Sequence, residues 1–272
     1  MTATLPPPVL ATGARVGGDY EVVELLRRSP LFDVYDVHSD SRDCRCVAKL
    51  PRPDRAGDER TRRRLVHEGR LLLSFTHPHL VRAYELIEAP EPVLILETLS
   101  GETLAHLLAR SPRGLPTGDL ALLGLQLCSA LHYLHGRGIV HLDLKPTNVV
   151  IDCGKAKLLD LSVARPPGTT RGGAGSRRYA APEQIRGGEV GTAADVWGAG
   201  CVLHEVATGR RAFEARRDGY EQLERRAEPV ATACPGLPRT VAAVIDAALD
   251  PAPDARPSVA ELADVLDDAL PG

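Results

Sequence analysis

The sequence predicts an α+β fold of two lobes: a small antiparallel sheet with one helix, then a larger, mainly α-helical part. Three observations predict it. Up to about residue 100 the chain reads as short strand-like runs around a single helical stretch. After Gly101 the apolar spacing turns helical. Near residue 150 one short β-rich pair interrupts the helices. With 272 residues the chain is long enough for one large domain or two lobes.

Each element follows in order. Residues 1–18, with Pro6-Pro7-Pro8, read as a disordered leader. Strand-like runs follow at 20–26, 32–37 and 44–50, parted by turns rich in Ser, Pro, Asp and Arg. Leu65, Glu68 and Leu72 then fall on one face of a helix. Runs at 80–87 and 93–96 read as two more strands. Residues 104–108 and 120–134 have the 3.6-residue period of helices. Residues 149–152 and 156–159 form a hairpin about Cys153-Gly154. Residues 165–176, rich in Gly, Pro, Thr and Arg, read as a mobile loop. Helices return at 193–209, 238–249 and 257–270. A ligand is expected in the cleft between two such lobes.

Composition excludes several classes of function. Lys+Arg is 33 and Asp+Glu is 36, so the net charge is −3. A nucleic-acid or membrane-surface binder would draw its affinity from a basic field, and this chain has none. Only four of the basic residues are lysine (Lys49, Lys145, Lys155 and Lys157); the other 29 are arginine. GC-rich codon usage accounts for the arginines. The surviving lysines stand out because only Lys places a compact point charge. The six cysteines, Cys44, Cys46, Cys128, Cys153, Cys201 and Cys234, form no CxxC pair. They read as reduced thiols of a cytoplasmic protein. The N-terminal residues lack the basic start and apolar run of a signal peptide. No stretch reaches the roughly 18 apolar residues of a membrane helix.

The chemistry is concentrated in His141-Leu142-Asp143-Leu144-Lys145-Pro146-Thr147-Asn148, between a helix and the hairpin. This octet puts a carboxylate, an ammonium and an amide into one loop. An Asp followed five positions later by Asn suits phosphoryl transfer. The Asp orients and deprotonates a hydroxyl, the Asn oxygen holds a metal ion, and Lys145 neutralises the phosphoryl group in flight. The alternative is a polar turn in which Asp143 and Asn148 satisfy backbone groups.

The octet resembles the catalytic loop of the eukaryotic-like (Hanks-type) protein kinases, HRD followed by LKPxN. Seven of eight positions match the Ser/Thr-specific form, including the Lys two residues after the Asp. The resemblance runs from about Tyr20 to about Leu270. It implies a bilobal protein-kinase-like domain over 19–272, with an N-lobe of about 19–96, a hinge at 97–101 and a C-lobe at 102–272. Cys46-Val47-Ala48-Lys49 resembles the VAxK strand. The likeness puts Lys49 on the ATP phosphates and Glu68, on the helix that follows, as its partner. Leu94-Ile95-Leu96-Glu97-Thr98-Leu99 resembles the strand and hinge that hold adenine, with Leu96 as gatekeeper. Leu26, Val34, Val47, Glu97, Leu99 and Val150 are implied nucleotide contacts. Asp160-Leu161-Ser162 stands where DFG should be, so Asp160 and Asn148 are the implied Mg²⁺ ligands. Ser176 takes the position of the threonine that steadies the catalytic Asp and Lys. Ala181-Pro182-Glu183 matches APE, Asp195-Val196-Trp197-Gly198 the start of helix F, and Arg256 the arginine that pairs with the APE glutamate. The family implies ATP and Mg²⁺ as cofactors and protein Ser/Thr hydroxyls as substrates.

The sequence departs from the family pattern in places. The three glycine positions of the phosphate loop hold Arg27, Ser29 and Phe32, and Pro30 removes a donor. Weakened phosphate contacts are expected, with Arg27 or Arg28 as side-chain replacements. The HRD arginine is Leu142, which argues against switching by phosphorylation of Thr169, Thr170 or Ser176. The DFG glycine is Ser162. A pseudokinase acting as a binding module is therefore the alternative reading. A small-molecule phosphotransferase of the aminoglycoside-kinase type should lack Ala181-Pro182-Glu183, Asp195-Val196-Trp197-Gly198 and Arg256. His77 and His79 read as part of a structural turn rather than a metal pair, and His132 and His135 as packing residues. Arg171, Arg177 and Arg178 either favour acidic substrates or are simply exposed. With no sensor domain or anchor expected beyond the last helix, control falls to the domain itself or to a regulatory protein partner.

Overall fold

A computed structural model of the chain describes residues 8–173, 175–217 and 219–270. Two compact units emerge. The first runs to His77 and takes in Val81–Leu99; the second takes in Pro78–Leu80 and everything from Ser100 onward. The break after Leu99 lies inside the segment expected to be a hinge.

The first unit is one antiparallel sheet with one helix. Its strands are β1 (Arg15–Val16), β2 (Tyr20–Arg28), β3 (Phe32–Ser39), β4 (Cys44–Pro51), β5 (Ala83–Ile87) and β6 (Val93–Glu97), in the order β1-β2-β3-β4-β6-β5. Alternation explains the sheet: Tyr20, Val22, Tyr35, Val37, Cys46, Ala48, Val93 and Ile95 fill one core. On the opposite face, β3 and β4 pair Val34 with Lys49 and Asp36 with Val47. Helix α1 (Glu59–Ser74) starts at Asp58, whose carboxylate accepts from Arg60 N at 3.0 Å and Thr61 Oγ1 at 2.8 Å. Its buried face carries Leu65, Glu68, Gly69 and Leu72. A Cβ on Gly69 would stand 2.7 Å from Leu86 Cδ1, so a larger residue there would have to displace the end of that side chain.

Residues 1–7 of the expected leader lie outside the described residues. Against the expectation of a leader over 1–18, β1 pairs with β2, Gly13 N donates to Val22 O at 2.8 Å, and Val16 is buried. The apolar Val16 side chain gains more in the core than in water, and it draws this stretch onto the sheet.

The second unit is mainly helical: α2 (Leu104–Ala109), α3 (Thr117–Gly136), α4 (Pro182–Arg186), α5 (Thr192–Thr208), α6 (Val230–Ala233), α7 (Arg239–Ala248) and α8 (Val259–Asp267). Helix α5 is buried along nearly its whole length, as a helix apolar all round should be. β7 (Glu102–Thr103), β8 (Val149–Asp152) and β9 (Lys155–Leu158) form a small sheet, and β10 (Gly168–Thr170) pairs with β11 (Gly188–Val190). The strand expected at 80–87 begins only at Ala83. Pro78–Leu80 belong to the second unit instead, where His79 O accepts from Leu158 N at 2.9 Å and Leu80 bridges to Leu158. The loop expected at 165–176 contains β10, because β11 offers its backbone a ladder. Among the described residues no helix is long and apolar enough to cross a membrane.

Candidate active site

In the first unit the site is built on adjacent strands and α1. Lys49 Nζ lies 2.7 and 3.0 Å from the two oxygens of Glu68. Both side chains are nearly buried, at 10% and 1% exposure, so neither charge is left without its counterion. The register brings Val34 opposite Lys49 and Val47 opposite Leu96. Leu96 is buried; Val34, Val47 and Leu99 are half-buried. Leu26 falls at a bulge in β2 and is 51% exposed. Glu97 spends a carboxylate oxygen on Arg82 N at 2.9 Å.

The turn between β2 and β3, where the sequence reading expects a phosphate loop, is closed on itself. Ser29 N donates to Phe32 O at 2.8 Å, and Phe32 N donates back to Ser29 Oγ at 2.9 Å. Arg28 grips buried Asp33 through two bonds of 2.8 and 2.7 Å. It is therefore committed and does not replace a glycine-loop donor. Arg27 is exposed.

In the second unit the loop expected to be catalytic, residues 141–148, hangs from α5. Buried Asp195 accepts from His141 N and Leu142 N, both at 2.8 Å, and its Oδ2 lies 2.8 Å from His135 Nε2. These bonds hold Leu142 in the left-handed region, at φ 63°. That conformation costs a non-glycine residue about 1 kcal/mol or more. It turns the Leu142 side chain into an apolar cluster with Trp197, Phe213 and Leu249. His141 is fully buried: its Nδ1 accepts from Asp143 N at 3.1 Å, and its Nε2 lies 3.2 Å from Leu159 O. These partners require the neutral ring with its proton on Nε2.

The candidate reacting groups follow. Asp143 Oδ2 accepts from Lys145 Nζ at 2.6 Å and from Asn148 Nδ2 at 3.3 Å. Asp143 Oδ1 is buried with no hydrogen-bond partner among the described residues. Lys145 Nζ also lies 2.7 Å from Ser176 Oγ. Asn148 donates a further bond to Asp143 O at 3.0 Å; both bonds use Nδ2 and leave the amide oxygen for another partner. Asp160 sits at φ 63° and accepts from Ser162 N at 3.2 Å. Val150, in β8, is buried. Among the described residues no group of three or more His, Cys, Asp or Glu could hold a metal ion. One carboxylate and one amide oxygen suit Mg²⁺, which takes few protein ligands and completes its shell with phosphate and water.

Glu183 pairs with fully buried Arg256 at 2.6 and 2.9 Å, and the guanidinium stacks 5.0 Å over Trp197. Three positioning residues were not singled out from sequence, or were read otherwise. His135 is a partner of Asp195 rather than packing alone. Gln184 bridges Ala181 N at 3.0 Å and Leu142 O at 2.9 Å. Gln222 donates to Arg177 O at 2.8 Å and Ala180 O at 3.0 Å. Gly175, before Ser176, has φ 88°, and a Cβ there would meet Leu142 O at 2.8 Å. Arg178 pairs with Glu214, while Arg177 is spent on the carbonyls of Arg216 and Arg217.

The family model for the protein kinase domain matches residues 30–265, and the chain belongs to that family. Within the family its likeness is to the bacterial Hanks-type serine/threonine kinases. It is 32% identical over 248 residues to a probable serine/threonine-protein kinase PknB of Bifidobacterium longum, covering 83% of this chain and 36% of that one. It is 30% identical over 264 residues to serine/threonine-protein kinase PknB of Mycobacterium tuberculosis, covering 91% and 42%. The crystal structure of the M. tuberculosis PknI kinase domain superposes with a TM-score of 0.78 at 26% identity, covering 96% of this chain and 99% of that one. The chain thus spans well under half the length of the curated relatives it matches.

Proposed function

We propose that the chain transfers the γ-phosphate of ATP, with Mg²⁺, to serine and threonine hydroxyls of protein substrates. One observation carries the reading: Asp143 has one oxygen held by Lys145 and Asn148 and the other buried and unpartnered. A buried carboxylate oxygen without a donor costs stability unless a substrate hydroxyl completes it.

Mg²⁺, when bound, supplies positive charge that offsets the phosphate oxygens in a loose, anionic transition state. The chain's own residues do the rest. Asp143 Oδ1 orients the hydroxyl and accepts its proton as the oxygen–phosphorus bond forms. Lys145 keeps Asp143 in one rotamer and places an ammonium beside the transferring group. Ser176 fixes that ammonium from its other side. Asn148 and Asp160, both from the second unit, would hold the metal ion. In the first unit Lys49, steadied by Glu68, takes the nucleotide phosphates, and Val34, Val47 and Leu96 take adenine with Leu26 and Leu99 beside them; Glu97 offers its backbone. The Glu183–Arg256 pair anchors the segment that carries Ser176.

The pseudokinase alternative draws on the closed β2–β3 turn, which offers phosphate no backbone cradle. A cytoplasmic compartment fits six cysteines of which none forms a disulfide. The test is incubation with Mg-ATP and a generic Ser/Thr-rich protein, followed by phosphoamino-acid analysis. Phosphoserine or phosphothreonine should form, and chelating Mg²⁺ should abolish both. Phosphotyrosine alone, or transfer that survives chelation, contradicts the reading. No nucleotide binding at millimolar Mg-ATP favours the pseudokinase.

A further inference from the structure

Phe32 stands where the family's third phosphate-loop glycine would be, and its ring has a specific neighbour. Lys49 Nζ lies 4.9 Å from the ring centroid, within cation–π distance. The register explains the contact. Phe32 and Val34 point to the same face of β3, Lys49 lies opposite Val34 on β4, and Phe32 is its diagonal neighbour on that face. The ring is 6% exposed.

The turn that carries Phe32 is fastened. Pro30 has no N–H, Ser29 N is bonded to Phe32 O, and Phe32 N and Leu31 N both point to Ser29 Oγ, at 2.9 and 3.4 Å. Outside the turn, Arg52 N donates to Leu31 O at 3.0 Å and Arg52 Nη1 to Ser29 O at 3.3 Å. These donors are spent, so phosphate charge must fall on side chains, and the aromatic ring lies against the ammonium best suited to receive it.

We propose that Phe32 sets the affinity for nucleotide phosphates: its ring covers the Lys49 ammonium and must turn aside before a phosphate can reach it. The proposal rests on the reading of Lys49 as the phosphate contact. It makes Phe32 an affinity-determining residue for triphosphates that is silent toward the nucleoside. Removing the aromatic face removes an interaction present only in the unliganded chain, so binding of the phosphates tightens.

The test is calorimetric titration of the whole chain with Mg-ATP and, separately, with adenosine, for wild type, Phe32→Leu, Phe32→Gly and Lys49→Met. Phe32→Leu keeps a buried apolar side chain beside Lys49 and loses only the π face, so it carries the test if Phe32→Gly fails to fold. It should tighten Mg-ATP about two- to fivefold and leave adenosine unchanged. The KM for ATP should fall in step, with kcat unaltered. Unchanged or weaker Mg-ATP binding by Phe32→Leu, with adenosine bound as in wild type, overturns the proposal. Lys49→Met separates the two layers: it should weaken Mg-ATP but not adenosine. If it leaves Mg-ATP unchanged, the assignment of Lys49 fails whatever Phe32 does. If wild type binds neither ligand, both fall together.

Discussion

At the scale of single residues, the second unit divides labour between the oxygens of one carboxylate. Lys145 and Asn148 hold Asp143 Oδ2, and Oδ1 faces no protein donor among the described residues. Lys145 is itself shared between Asp143 and Ser176, so Ser176 acts through it as a positioning residue. Ser176→Ala should lower kcat about three- to tenfold, the worth of one net hydrogen bond, and leave the KM for ATP unchanged. Steady-state kinetics with varied ATP checks this; a rise in KM with kcat intact would contradict it. Asp143, Lys145 and Asn148 stand out in the sequence as candidates because Asp, Lys and Asn at this spacing have few structural uses. Ser176 was legible only through the family pattern. His135 and Gln184 were not, because side chains that bond to a carboxylate or to backbone far along the chain gain meaning only when distant segments meet. Phe32 was visible as a missing glycine, but no spacing rule says where its ring goes.

At the scale of elements, the short strands and helices before the site follow their apolar periods closely. The helix expected at 120–134 is Thr117–Gly136, and the hairpin at 149–152 is where the alternation puts it. Two boundaries went elsewhere for tertiary reasons. Pro78–Leu80 leave the first unit to pair with β9, and Gly168–Thr170 become a strand because β11 is beside them. The segment after α5 shows a further device with no sequence signature. Glu221, in a 3-10 turn at Glu221–Leu223, accepts from Arg225 at 3.0 Å and from Glu214 N at 2.6 Å. The Arg225 hydrogen bond above all, then Glu214 N and the charges of Arg225 and Arg216, hold its carboxyl down at about 2. A depressed folded-state value stabilises above the carboxyl's ordinary value near 4.5, and the benefit fades as pH falls toward 2. The Tm of wild type should therefore drop across that window more steeply than that of Glu221→Gln. Parallel curves for the two proteins would show that Glu221 contributes nothing there.

At the scale of the whole molecule, the sheet unit carries the Lys49–Glu68 pair and the helical unit carries the loop at 141–148. Leu142 is buried among apolar side chains, Asp195 accepts from its N–H and from that of His141, and Gln184 ties its carbonyl to the start of α4. The chain matches the curated relatives over less than half their length, within the domain where this chemistry is proposed. The central claim is that this domain catalyses transfer through Asp143 despite its closed phosphate turn. Single-turnover γ-phosphate transfer, measured for wild type and Asp143→Asn with Mg-ATP binding followed in parallel, tests it most directly. The account predicts a rate about 10²- to 10⁴-fold lower in the variant, with nucleotide binding retained. Equal rates in the two proteins, or no transfer by wild type while Mg-ATP is bound, would contradict it.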